Sequence, residues 1–152
     1  MATVTSQNKK EHDEKELRRK GALHPVRAKI KLKDRELPVT MHPIEAKNGN
    51  EIAHVNPETF DKAFAKTKWQ YVGKKGEGGI EGRYEKFANW VKDADSMHAS
   101  DVAVNKEGGV TFGDGRHRYA YLRDEGVEKI PMSMDKESIK HAKKHGYLTE
   151  QE

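Results

Sequence analysis

Residues 102–134 read VAVNKEGGVTFGDGRHRYAYLRDEGVEKIPMSM, and their pattern decides what kind of fold the chain makes. Val102, Val104, Val110 and Phe112 recur at period two on either side of Asn105-Lys106-Glu107-Gly108-Gly109, which predicts a β-hairpin with a glycine-containing loop. The second strand runs into Gly113-Asp114-Gly115, where glycine permits positive φ and lets a ligand approach the backbone closely. Asp114 is placed to cap a helix that begins at Gly115 or Arg116, and Gly126 is placed to end it.

The charge order along that helix is inverted. Arg116, His117 and Arg118 occupy its first turn, and Asp124 and Glu125 its last. A helix N-terminus favours acids, so each misplaced exposed charge costs about 0.3–1 kcal/mol. An anion held at the backbone N–H groups of Gly115, Arg116 and His117, between the two guanidinium groups, turns that cost into binding energy. On this reading the empty protein loses no stability when Arg116 is removed. The alternative is that the arginines pair with acids elsewhere.

Composition bounds the rest. The chain has 152 residues, 34% apolar and 36% charged, with a net charge of +4 and a pI near 9.1. That suits one domain over residues 23–152, ending in a short helix, preceded by a charged tail over residues 1–22. Acids and bases are interspersed, which permits polyanion partners without making a dedicated nucleic-acid coat. No cysteine is present, which excludes disulfides, thiolate metal sites and thiol nucleophiles. Neither a signal peptide nor an apolar run of ~18 residues is visible, so the expectation is a cytoplasmic protein with no membrane partner.

The run Gly113-Asp114-Gly115-Arg116-His117-Arg118-Tyr119-Ala120, followed by Gly126 and by Ile130-Pro131 opening the next strand, resembles the signature of the ParB/sulfiredoxin superfamily. The likeness covers residues 80–134 and is most specific over 113–118. It implies an α+β fold, a small mixed sheet with packed helices, in which the strand, turn and helix cradle nucleotide phosphates. It implies a nucleoside triphosphate (ATP or CTP) with Mg²⁺ as cofactors, and NTP hydrolysis, phosphotransfer or nuclease activity linked to DNA. Sulfiredoxin chemistry itself is excluded, because Arg116 stands where those proteins carry a cysteine. Complete ParB partition proteins continue into a helix-turn-helix region, whereas 18 residues follow Met134 here, so centromere-type recognition is not expected.

Under that resemblance Gly113, Gly115, Arg116, His117 and Arg118 hold the phosphates. Asp114 is the candidate Mg²⁺ ligand, and His117 a phosphate ligand or acid–base group. His117 bracing the turn is the structural alternative. The superfamily keeps functional acids near its early strands, which points to Glu36 and Glu45 as catalytic candidates. Residues 73–82 hold five of the 13 glycines. They read as a mobile loop, either a linker or a lid that brings Lys74 and Lys75 over phosphates.

Elsewhere the signals are local. Val26, Ala28, Ile30 and Leu32 alternate, and Leu37 and Val39 resume after Lys33-Asp34-Arg35, predicting two strands with Pro38 marking an edge. Met41 to Glu45 reads as extended, and Asn48-Gly49-Asn50 as a turn. Asn56-Pro57 starts a helix that faces Phe60, Ala63, Phe64 and Thr67 inward. Tyr84, Phe87, Ala88 and Val91 predict another, with Tyr84 and Trp90 as alternative base-stacking residues. Ile130 to Met134 reads as a strand whose Pro131 marks an edge or a start, and Asp135 caps a last helix that carries its bases at the end. His141 and His145 share the i, i+4 spacing of a metal pair, but lysines beside them oppose a cation. The functional expectation is a nucleotide-binding, phosphate-processing domain. The alternative is a non-enzymatic nucleotide-sensing or inhibitory module of plasmid or phage type, binding DNA weakly or a host protein.

Overall fold

The computed structural model describes residues 28–149; the charged tail lies outside the described residues. The order is β1 (Ala28–Leu32), β2 (Arg35–Thr40), α1 (Pro43–Lys47), β3 (Glu51–Val55), α2 (Pro57–Phe64), a 3₁₀ turn (Lys74–Gly76), α3 (Arg83–Val91), β4 (Met97–His98), β5 (Ser100–Val104), β6 (Val110–Asp114), α4 (Arg116–Asp124), β7 (Ile130–Met134) and α5 (Lys136–Lys144). The α+β class holds, but the strands form two small mixed sheets where one was expected. One is ordered β1-β2-β4 and the other β3-β7-β5-β6.

The edge reading of both prolines needs correction, while Pro131 does stand at the start of its strand, one residue in. β2 is the middle strand of its sheet, pairing β1 antiparallel and β4 in parallel at Val39 and Thr40. β7 is internal and buried along its length, between β3 and β5. Each proline survives because the second neighbour joins after it: β4 begins opposite Val39, and β5 begins opposite Met132. No ladder bond is asked of the missing N–H on that side.

The segment read as extended before Glu45 is instead α1. The side chain of His42 accepts a hydrogen bond from Ile44 N–H at 3.2 Å, and Pro43 occupies the first helical position, where its missing donor costs nothing. The other caps follow expectation. Asn56 accepts from Glu58 N–H at 2.9 Å and Asp135 from Ser138 N–H at 2.7 Å. After α4, Val127 N–H reaches Leu122 O and Gly126 N–H reaches Arg123 O, with Gly126 at φ 81°. That pairing closes the helix as a left-handed glycine cap does.

The core gathers around α2 and α4. Phe60, Phe64 and Tyr119 are fully buried. Phe64 lies 4.8 Å from the Phe112 ring and Phe60 5.1 Å from the Tyr119 ring, the latter edge-on. Thr67 falls past the helix end, its hydroxyl bonded to Phe64 O. Beside these rings sits a polar knot. Asp61 accepts from Tyr71 (2.9 Å), Tyr119 (3.1 Å) and Arg123 (2.9 Å). Arg123 also donates to Val72 O and to Asp124, so the end of α4 is tied to α2. Among the described residues no helix is long and apolar enough to cross a membrane.

Asp61→Ala removes one acceptor of a largely buried guanidinium and the shared acceptor of two tyrosine hydroxyls. We expect a loss of about 3 kcal/mol in urea unfolding. A loss below about 1 kcal/mol would mean that the knot is dispensable.

Candidate functional site

The hairpin register builds the site. Asp101 on β5 stands opposite Asp114 on β6 and, across the parallel pair, opposite Ser133 on β7. Ser133, Asp101 and Asp114 therefore form one row across three adjacent strands, and α4 starts where the row ends. Over it lies Glu45 of α1. Its carboxyl lies near Ser133 and feels the charges of Asp101 and Asp114. Asn50 donates to Ser133 Oγ at 3.0 Å.

Crowding shapes the electrostatics. Burial, then the neighbouring acids, push Glu45 above the ordinary carboxylate range. Asp101 moves up for the same reasons, with Asp114 the leading neighbour. Asp114 forms an ion pair with Arg118 at 3.1 Å. Two polar atoms of this cluster, Glu45 Oε1 and Arg118 Nε, are buried without hydrogen-bond partners. Each such atom costs about 1–3 kcal/mol unless a ligand supplies the bond.

The turn is built differently from expectation. Asp114 ends β6, and the helix cap is Gly115, at φ 85° with no side-chain cap bond. Gly113 serves space and not a positive φ: a Cβ there would lie 2.6 Å from Asp101 Oδ2. At Gly115 a Cβ would meet Ser100 Oγ and Arg118 at 2.5 Å. The first amides of α4 are thus free of any side-chain cap, beside a guanidinium and a row of carboxyls.

The basic triplet divides its labour. Arg116 donates to Gln70 O at 2.8 Å, a structural task that the charge order does not reveal and that Arg116→Ala would remove. His117 Nε2 accepts from Ile80 N–H at 3.0 Å, so it braces the neighbouring segment. Burial, then Arg116 and Arg83, push His117 below its ordinary value, which suits a neutral acceptor.

Several sequence candidates lie elsewhere. Glu36 faces solvent on β2, 3.9 Å from Lys29. Residues 73–82 form a strap along α4, where a loose loop was expected: Lys75 N–H bonds Asp124 at one end and Ile80 N–H bonds His117 at the other. Lys74 and Lys75 therefore lie at the far end of α4 from its first turn, about 10 Å away at 1.5 Å per residue. Tyr84 donates to Asp124 at 2.8 Å, while Trp90 is exposed. His145 bonds Lys106 O, and His141 lies 3.7 Å from Glu137.

Among the described residues no three His, Cys, Asp or Glu side chains converge on a metal position. The carboxyl row fits Mg²⁺ in a narrower sense, because that ion commonly takes one or two carboxylates together with water and ligand phosphates. Asp101 and Asp114 would hold it. The sequence reading missed Asp101, Ser133 and Gln70. Counting the hairpin register back from the loop brings Asp101 opposite Gly113, and a one-residue bulge between Asp101 and Val102 moves it on to Asp114; that shift, like the places of Ser133 and Gln70, depends on packing beyond the hairpin.

No family model matches the chain, and no curated protein is significantly similar to it. A solved structure is similar in fold: the crystal structure of oncogenic suppression activity protein, a plasmid fertility inhibition factor, in its gold(I) cyanide derivative. The match has a TM-score of 0.57 and 18% identity, and covers 91% of this chain and 85% of that one.

Two outcomes follow. Because Glu45 is raised, its burial costs stability as pH rises above its ordinary value of about 4.3. Glu45→Gln should melt higher than wild type near neutral pH and equal to it near about pH 4; a pH-independent difference would contradict this. For His117, held below its ordinary value, the associated stability is present above about pH 6.5 and lost as pH falls through the lowered value. Trypsin should then cut after Lys74 and Lys75 faster in His117→Ala than in wild type at neutral pH. Equal rates would show that the strap does not depend on His117.

Proposed function

We propose that the chain binds a phosphorylated ligand of nucleotide type at the N-terminus of α4 and promotes cleavage of its phosphate bond. The observation that carries this is the meeting of uncapped α4 amides, Arg118 and the Glu45–Asp101–Asp114 carboxyls at one sheet end. This agrees with the expectation drawn from the ParB/sulfiredoxin resemblance. Amides of residues 115–117 bind phosphate oxygens, and Arg118 offsets their charge. Mg²⁺, when bound, would supply charge neutralisation between the acids and the phosphate.

The carboxyls divide the proton transfers. Asp101, when ionised, accepts the proton of an attacking water as its oxygen bonds to phosphorus. Glu45, whose burial favours the protonated form, gives its proton to the departing oxygen as the phosphorus–oxygen bond breaks. His117 acts through the strap and not on the ligand.

A second reading is a module that binds nucleotide without turnover and inhibits a partner. It is favoured by the fold likeness to a plasmid fertility inhibition factor.

Differential scanning fluorimetry with ATP, CTP or pyrophosphate, each with Mg²⁺, tests binding, and phosphate release tests turnover. A ligand at 100 times its Kd should stabilise the wild type by about 2.7 kcal/mol. Arg118→Ala should lose most of this. Glu45→Gln should keep it while slowing release by roughly 100-fold or more. Binding without release in the wild type favours the second reading. No stabilisation by any of the three ligands would overturn both.

A further inference from the structure

The two edges of the four-stranded sheet are treated differently. β3 is covered by its own chain, with Asn56 N–H on Tyr147 O at 2.7 Å and Thr149 N–H on His54 O at 2.9 Å. On β6, the side-chain amide of Gln70 takes the place of a neighbouring strand: it donates to Phe112 O at 3.0 Å and accepts from Phe112 N–H at 2.8 Å. Toward the start of β6 the edge opens into a groove of about 640 Å³, lined by residues 66–70 with Val110 and Thr111.

Trp69 projects there at 85% exposure, the most exposed large apolar side chain among the described residues. The turn that carries it is held. Gln70 N–H and Tyr71 N–H both bond Thr67 O, and the Thr67 hydroxyl bonds Phe64 O. The turn is thus anchored to α2 on one side and to β6 on the other. Lys66 and Lys68 line the groove with Trp69, and no acidic residue does.

We infer that this groove is a docking surface for single-stranded nucleic acid, with a base stacked on Trp69 and the adjoining phosphates on Lys66 and Lys68. Stacking on an indole tolerates any base, and lysines track a backbone without reading sequence. A peptide added as a strand fits worse. Outward-facing groups recur every second residue, so Gln70 blocks the edge at Phe112 and leaves Val110 alone, too short a run for strand addition. The charge pattern also selects a polyanion. This surface shares no lining residue with the phosphate site at α4, although the Gln70–Arg116 bond joins the two, and its occupancy does not require turnover there.

The test is fluorescence anisotropy of a labelled oligothymidylate, with tryptophan fluorescence read in a Trp90→Phe background. Binding should quench Trp69, and Trp69→Ala should weaken affinity roughly 10-fold or more. Lys66→Ala with Lys68→Ala should flatten the slope of log affinity against log salt by about 1.4, at 0.7 per phosphate contact. Arg118→Ala should leave oligothymidylate binding unchanged, and Trp69→Ala should leave the nucleotide-induced thermal shift unchanged, so the two sites fail separately. Affinity equal in wild type and Trp69→Ala would overturn the inference. So would loss of oligothymidylate binding in Arg118→Ala, or displacement of the strand by polyglutamate at comparable concentration.

Discussion

At Gly113 a Cβ would lie 2.6 Å from an Asp101 carboxylate oxygen, and at Gly115 2.5 Å from the Arg118 guanidinium and from Ser100 Oγ. Those contacts set how closely β5, β6 and α4 approach. With side chains at either position, Asp101 would be displaced from its place opposite Asp114 and Arg118 from its ion pair. The carboxyl row, the uncapped amides and the guanidinium can share one sheet end because the backbone there carries no side chain of its own. Gly115 contributes a second constraint, since its φ of 85° is one that other residues enter only with strain.

α4 links the site to the rest of the protein. Its first turn carries the basic triplet, its buried face carries Tyr119, Ala120 and Leu122, and its last turn carries Arg123 and Asp124 into the polar knot. The strap over residues 73–82 spans it from Asp124 to His117. A change at either end of the helix therefore has a route to the Gly113–Arg118 turn. Holding Glu45 and Asp101 partly buried beside Asp114 costs stability, a cost commonly found where binding geometry is fixed in advance.

Local signals were legible in the sequence and non-local ones were not. The hairpin, the Gly126 stop, the Asn56-Pro57 start and the Asp135 cap each depend on a few adjacent residues, and each stands in the structure. Pro43 misled because a residue before proline favours extended backbone, whereas His42 uses that conformation as a helix cap. β3 and β4 were missed; EIAHV buries two positions in five, and β4 has two residues. The candidates Glu36 and Glu45 looked alike in sequence. Only the packing of α1 over the β7-β5-β6 row separates them, because burial beside Ser133 and Asp101 cannot be read from neighbours along the chain. The same holds for Arg116, whose bond to Gln70 O crosses 46 residues.

The central claim is that the first amides of α4 receive phosphate oxygens. Titrating the ¹⁵N-labelled protein with pyrophosphate and Mg²⁺, and following backbone amide shifts, tests it most directly. The account predicts that the amides of Gly115, Arg116 and His117 move first and saturate together, with Arg118 Nε–H shifting in step. Shifts confined to residues 66–70, or spread evenly over surface lysines with no saturation, would contradict it.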